Sequence, residues 1–294
     1  KVVTDSIAFG DTLGEEILAW VEDDNFVASR EDTAAYKLPA GDGMYLLTGD
    51  FKTPAEPYWG SIRPFVLDGG YDCNESFNLE YSTDPDSTFY KQAQEVVDIS
   101  RSLTPQQEET ARFWVDTPGV SGTPAGHWVS IANQLVDQLD LTLDRMAMMH
   151  AMLGMGLADA FISCWYLKYE LLVPRPITYI QENIRRNWQS YIQTPPFPEY
   201  PSGHSVVSAA ASEVLTDFFG TIAFKDETHI IYDHEALVRS YTSFEAAATE
   251  AAISRLYGGI HYRAAIENGM RQGRCVGQRI TSWITLSPVS QGGE

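Results

Sequence analysis

The chain has 294 residues, 44% of them hydrophobic and 12% aromatic, a composition that fits a packed globular protein and not a disordered one. Forty acidic residues against 20 basic give a formal charge of −20, so the surface repels a phosphate backbone and nucleic acid is not an expected partner. The same field does not exclude a small anion, provided that a few cations are concentrated at one site.

In chain order, Ile7, Leu13, Ile17, Leu18 and Val21 recur at roughly helical spacing and predict an amphipathic helix over 5–22. Between Phe26 and Ser87 the periodicity breaks into short Gly, Pro, Asp and Tyr runs such as AGDGMY and DGGYDCNES; residues 26–87 are therefore expected to be irregular, with a short hairpin at most. Thr104, Pro105 and Gln107 have the pattern of a capped helix start, with Thr at the cap, Pro at the first helical position and Gln completing a capping box, so a helix is predicted over 105–114. Further helices are predicted over 125–140, 141–172, 177–190, 204–219 and 243–283, the last broken near Gly258 and Gly259.

The stretch from Leu141 to Trp165 is rich in Met, Leu and Ala, but Asp144, Arg145, His150 and Asp159 interrupt it. It predicts a buried central helix and not a membrane span, and its methionines read as core filling. With no internal repeat, the economical architecture is mainly α, a single helical bundle domain over 1–294. Cys73, Cys164 and Cys275 are too few for a disulfide framework, and an odd number leaves a thiol or an intermolecular bond. Lys1 stands without a preceding Met, and the expectation is an exported protein, periplasmic or secreted, whose leader is not in this chain.

Three segments concentrate the chemistry. Residues 165–176 hold Lys168 and, seven positions on, Arg175 between Pro174 and Pro176, which end the helix. Residues 197–204 end in Pro201-Ser202-Gly203-His204, directly before the apolar run VVSAAASEVL. That order puts the Ser202 hydroxyl and the Gly203 N–H at a helix N-terminus, where unpaired donors and the helix dipole favour an anion. Residues 254–261 hold Ser254, Arg255 and His261 around Gly258 and Gly259, which permit a sharp break and close backbone approach. Each segment alone has an ordinary structural explanation. Together they bring three cations, a capping Ser-Gly pair and two histidines to three helix ends within a hundred residues.

This combination resembles the vanadium haloperoxidase and acid phosphatase superfamily, which includes the type-2 phosphatidic acid phosphatases. Its signature is Lys, six residues, Arg-Pro; Pro-Ser-Gly-His; and Ser-Arg, three residues, Gly, one residue, His. Lys168, Arg175, Pro176, Pro201, Ser202, Gly203, His204, Ser254, Arg255, Gly259 and His261 meet every defined position. The resemblance implies an α-helical bundle with vanadate as cofactor and His261 as the ligand to vanadium, or to phosphorus in a phosphatase. Lys168, Arg175, Arg255, Ser202 and the Gly203 N–H would surround the oxygens, and His204 would be the acid–base partner of the apical oxygen. Fixed cations and N–H donors suit a preorganised oxyanion site, and a His titrates near the working pH.

The choice between peroxidase and phosphatase rests on residues outside the signature. Trp165 and Phe197 resemble the aromatic pair on the halide side of the fungal chloroperoxidase pocket and its bacterial relatives. The lipid phosphatases of the superfamily carry several membrane spans, and no such set of spans is predicted here. Asp116 has a setting similar to that of an acidic residue that supports the third-segment Arg in haloperoxidases. The resemblance thus implies a haloperoxidase that oxidises halide with hydrogen peroxide to hypohalous acid, Lys168 polarising the bound oxidant and His204 handling protons. Iodide is the expected main halide; the alternatives are a bromo- or chloroperoxidase and a soluble acid phosphatase with a phosphohistidine intermediate. A small organic acceptor is expected to meet the oxidised halogen outside the pocket.

Overall fold

A computed structural model describes residues 1–31, 33–74, 79–119, 122–231 and 237–284; the parts of the expected irregular segment at 32 and 75–78, and the last ten residues of the chain, lie outside the described residues. The helices are α1 (Val2–Glu22), α2 (Phe26–Glu31), α3 (Thr88–Ser100), α4 (Pro105–Phe113), α5 (Pro124–Leu139), α6 (Leu143–Leu171), α7 (Pro176–Asn183), α8 (Gly203–Phe219), α9 (Phe244–Tyr257) and α10 (Arg263–Trp283). Two three-residue strands, β1 (Phe224–Asp226) and β2 (Arg239–Tyr241), pair antiparallel with Phe224 opposite Tyr241.

Local chemistry sets these boundaries. The expected capping box of α4 forms: Gln107 N donates to Thr104 Oγ1 and Thr104 N to Gln107 Oε1. Thr123 caps α5 through Gly126 N, with Pro124 in the first turn. The predicted helix over 177–190 stops early, at Asn183; the chain then turns, with Arg185 N on Ile180 O and Trp188 N on Arg185 O, and runs irregularly to the site. The expected break in 243–283 falls at Gly258 and Gly259, the latter at φ 74°. Helix α3 was not anticipated, although Ser87 caps it through Tyr90 N. The hairpin allowed for in 26–87 is not found among the described residues, and the strand pair lies between α8 and α9 instead.

Helix α8 is the axis of the bundle, packed against α6, α9 and α10. From Ser205 to Ser212 its side chains are Ser, Val and Ala and all are buried, so this half of the helix lies inside the bundle. Helix α10 approaches it through Gly269, Gly273 and Gly277, one turn apart. A Cβ on Gly273 would lie 2.1 Å from Val206 O, so only glycine permits this contact. Helix α6, apolar and long enough to cross a membrane, has more than half of its most apolar window buried in the bundle, as the sequence predicts. One continuous core runs from Leu67 to Ile280.

The N-terminal segment is held by discrete polar contacts. Asp159, buried on α6, accepts from the N–H groups of Phe65, Val66 and Leu67 at 2.7, 2.9 and 3.1 Å. Tyr45 N donates to Leu172 O and Ala55 N to Pro196 O, both at 2.7 Å. Cys73 is bonded to Cys275 of α10, and Cys164 is free and buried. The predicted N-terminal helix forms, yet none of its residues is buried. Only its end is anchored, where Trp20 stacks on Phe65 with ring centroids 4.7 Å apart and Arg63 lies over the Trp20 ring.

Candidate active site

The three segments converge at one end of α8. Ser202 is the N-cap of α8, its Oγ accepting from Ser205 N at 3.4 Å, and Gly203 and His204 begin the helix, where the first N–H groups have no intrahelical partner. Trp165 packs on Gly203, where a Cβ would lie 3.5 Å from the indole, and both residues line the same cavity.

His261 follows the break after α9. Its Nδ1 is 2.8 Å from Glu199 Oε1, an oxygen that also accepts from Tyr262 N at 2.9 Å. Its Nε2 is 3.1 Å from Arg175 Nη1. A guanidinium only donates, so Nε2 is the acceptor and the ring is a neutral tautomer with its proton on Nδ1. Burial, with Arg175, Lys168 and Arg255 nearby, holds this histidine well below its usual range and so keeps the Nε2 lone pair available. Glu199 was not singled out in the sequence. Its cue was proximity: a lone carboxylate two residues after Phe197 in an otherwise apolar, proline-rich run. Burial pushes its carboxyl up to about 7 against the pull of Arg175.

Arg175, the N-cap residue of α7, donates from Nε to Phe197 O and from Nη1 to Ile260 O, both at 2.8 Å; its buried Nη2 has no protein partner. Arg255, in the last turn of α9, is steered by Ser254 Oγ at 2.9 Å from its Nε and reaches Ala111 O with Nη2. Lys168 is fully buried, and Nζ donates to Pro198 O, Glu199 O and Pro201 O at 2.8, 3.0 and 2.6 Å. All three of its donors are thus engaged with carbonyls, and contact with a bound oxygen requires exchanging one of them. Burial, with Arg175 adding to it, depresses this ammonium to about 7.

His204 lines the cavity in front of these groups, with Nε2 3.5 Å from Asp116 Oδ2 and no hydrogen-bond partner. Burial, then Arg255, lowers it to about 4 despite Asp116, so the ring is neutral near pH 7. Asp116 is buried. Among the described contacts it makes no ion pair with Arg255, the support suggested by its setting; its closest partner is His127, whose Nδ1 is 2.8 Å from Oδ1. Nε2 of His127 is 2.8 Å from Asp226 Oδ2, and the ring stacks on Trp114 at 4.3 Å. Burial opposes charge on His127, but Asp116 and Asp226 outweigh it and raise the group to about 10. Burial likewise opposes charge on Asp116, and the His127 charge and hydrogen bond hold that carboxyl well below its usual range. His127 and Asp226 were not identified from sequence, because 99 residues separate them.

Trp165 and Phe197 meet as expected, ring centroids 4.9 Å apart and tilted by 51°. Phe197 lies 5.1 Å from Lys168 Nζ and 4.9 Å from Arg175 Cζ, shielding both cations from the cavity. All nine anticipated residues are therefore brought together: Trp165, Phe197, Gly203, His204, Arg255 and His261 on the cavity wall, with Lys168, Arg175 and Ser202 buried beside them.

A family model described as the VCPO second helical-bundle domain matches residues 148–286. A bacterial vanadium-dependent iodoperoxidase superposes with a TM-score of 0.88 at 39% identity, covering 96% of this chain and 70% of that one. A bacterial vanadium-dependent chloroperoxidase, in holo and apo forms, superposes with a TM-score of 0.73 at 15% identity over 93% of this chain and 71% and 72% of those chains, a likeness of fold alone. No curated protein matches by sequence. With the identity and coverage of the iodoperoxidase match and the three convergent segments, this chain belongs to the vanadium-dependent haloperoxidase family.

Proposed function

We propose that the chain binds vanadate through His261 and oxidises iodide with hydrogen peroxide to hypoiodous acid. The observation that carries this reading is the His261 ring, held neutral between Glu199 and Arg175 with its Nε2 lone pair facing a guanidinium and not a carboxylate. A ligand nitrogen beside unspent donors suits a tetrahedral oxyanion. The buried Arg175 Nη2 lacks a protein partner, and the carboxylates nearby, Glu199 and Asp116, are engaged by histidines.

Bound vanadate supplies a Lewis acid that activates peroxide toward halide without a change of oxidation state. The protein's own contributions follow from its geometry. Glu199 fixes the His261 tautomer and raises its basicity as a ligand. Arg175, Arg255 and Lys168 neutralise anionic oxygens, and the Ser202 hydroxyl proton and the Gly203 N–H remain available as donors. His204, neutral near pH 7, takes a proton at Nε2 and returns it. Trp165 and Phe197 keep water from the cations.

Iodide is the halide most readily oxidised, and the relative at 39% identity is an iodoperoxidase. The test is peroxide consumption by protein stripped with a chelator and reloaded with orthovanadate, run with iodide, bromide and chloride in turn. Activity should require orthovanadate, phosphate should compete, and iodide should turn over fastest. Activity that survives stripping would reject the cofactor, and bromide or chloride turnover equal to that with iodide would reject the specificity. The Cys73–Cys275 bond supports export to an oxidising compartment; thiol alkylation of the protein from fractionated cells should find only Cys164 reactive after unfolding.

A further inference from the structure

The site opens into a cavity of about 650 Å³ whose walls are Phe51, Ala55, Phe161, Trp165, Ile192 and Phe197, with His204, Arg255 and His261 at its floor. This volume lies within the range of about 300–1,000 Å³ that encloses a drug-sized molecule. It equals roughly twenty water molecules at about 30 Å³ each. A halide and a peroxide fill only its floor. Asp116, Thr117, Thr123 and Gln193 also line the cavity, but most of the lining is apolar or aromatic.

The wall is built for flat rings. Phe161 packs on Trp165 at 5.2 Å and 59°, and Trp165 on Phe197 at 4.9 Å and 51°. These successive tilted rings offer both edges and faces to an aromatic guest. The far side is fixed from the N-terminal segment, where Ala55 N donates to Pro196 O and Ala55 O accepts from Tyr169 Oη at 2.5 Å. The segment that carries Phe51 and Ala55 is thus tied at Ala55 to α6 and to the proline-rich run before Phe197, which line the same cavity.

Resting on the haloperoxidase reading, we infer that this cavity binds an uncharged, electron-rich aromatic molecule, such as a phenol, and that the acceptor is halogenated there and not in bulk solvent. This departs from the expectation that the acceptor meets the oxidised halogen outside the pocket. The chemistry balances in two steps. Iodide gives two electrons to hydrogen peroxide, which with one proton yields hypoiodous acid and water. The ring then attacks iodine: a carbon–iodine bond forms, the oxygen–iodine bond breaks, and the released hydroxide leaves with the ring proton as a second water. A ring held against Trp165 presents one carbon to the floor, so the product ratio differs from that of free hypoiodous acid.

Thymol, a neutral phenol with open ring positions ortho and para to its hydroxyl, is the probe. On vanadate-free protein it should quench tryptophan fluorescence saturably. Ile192→Trp, which fills the cavity, should weaken that binding about tenfold or more. On vanadate-loaded protein with iodide and peroxide, the ratio of para to ortho product should differ about threefold or more from that of hypoiodous acid without protein. Cyclohexanol, an apolar competitor with no ring to halogenate, should displace thymol and return the ratio to the free value in the wild type, so the test does not depend on the variant folding. Absence of saturable binding, or a ratio equal to that of free hypoiodous acid while triiodide still forms, would overturn the inference. Failure to form triiodide at all, with thymol binding intact, would instead reject the haloperoxidase reading on which it rests.

Discussion

Helix α8 buries twelve of its 17 residues, whereas α1, with 21, buries none. The contrast extends to the regions around them. The bundle from α3 to α10 is held by continuous apolar contact, and the site sits where its helices end. The segment over 1–87 supplies few residues to the core and is fastened at points: the Asp159 latch, the Ala55 and Tyr45 backbone bonds and the Cys73–Cys275 bridge. Yet it provides Phe51 and Ala55 to the cavity. A chain held at points loses position when one point is cut, whereas a packed helix bundle yields gradually.

The largest effect is expected at the Asp159 latch. Asp159→Ala leaves three N–H groups without their acceptor, at about 1–3 kcal/mol each where they stay buried. Phe65 and Val66 are partly solvated, so a loss of about 3–5 kcal/mol in urea unfolding is expected. The matching experiment is limited proteolysis, which should cut first within 26–87 while α8 remains protected. Simultaneous cleavage of both regions would show that the latch also holds the bundle. Replacing both Cys73 and Cys275 by Ser should cost about 2–4 kcal/mol, less than the roughly 5 kcal/mol of ideal loop closure over 202 residues because the unfolded chain is already compact.

These two regions also differ in what their residues disclose. Helices α4 to α6 and α8 to α10 are legible because their caps and breaks are local: Thr104 with Gln107, Ser202 before an apolar run, Gly258 and Gly259 before His261. The site residues are legible because they form fixed motifs at those ends. The segment 26–87 is opaque for the opposite reason, since its backbone groups pair with Asp159, Leu172 and Pro196, far away in sequence. Glu199, His127 and Asp226 escaped for the same reason: each acts on a site residue through a contact that spacing does not encode. The apolar length of α1 predicts a helix correctly but says nothing of burial, which depends on a partner surface.

Within the bundle, Glu199→Gln tests whether His261 is held by charge or only by shape. The amide keeps the size and one acceptor but removes the charge that raises the basicity of Nε2. Vanadate affinity measured by titration calorimetry should fall by about 10–100-fold, with folding stability little changed. His261→Ala should fall further, by more than about 100-fold. Equal affinity in Glu199→Gln and wild type would leave Glu199 a packing residue.

The last effect is spread over a range of pH and is read as a slope. His127 is buried between Asp116 and Asp226 and titrates at about 10 when folded, against about 6.5 in an unfolded chain. Between those values the folded state holds a proton that the unfolded state has lost, so stability falls as pH rises. The contribution is fully present below about pH 6.5, declines by about 1.4 kcal/mol per pH unit, and is gone above about 10. Asp116 acts in the other direction: its depressed carboxyl adds stability above the ordinary carboxylate range that is lost in acid, outside this window. His127→Gln removes the titrating group while keeping a side chain able to hydrogen-bond one carboxylate. Urea unfolding between pH 7 and 9 should therefore show the falling slope in wild type and a flatter profile in His127→Gln. The N-terminal segment has no comparable buried ion chain among its described residues, so proteolysis within 26–87 should have the same pH dependence in both proteins. A slope that persists unchanged in the variant would mean that His127 is neutral and that Asp116 is held by shape, leaving no fixed positive charge behind the His204 side of the site.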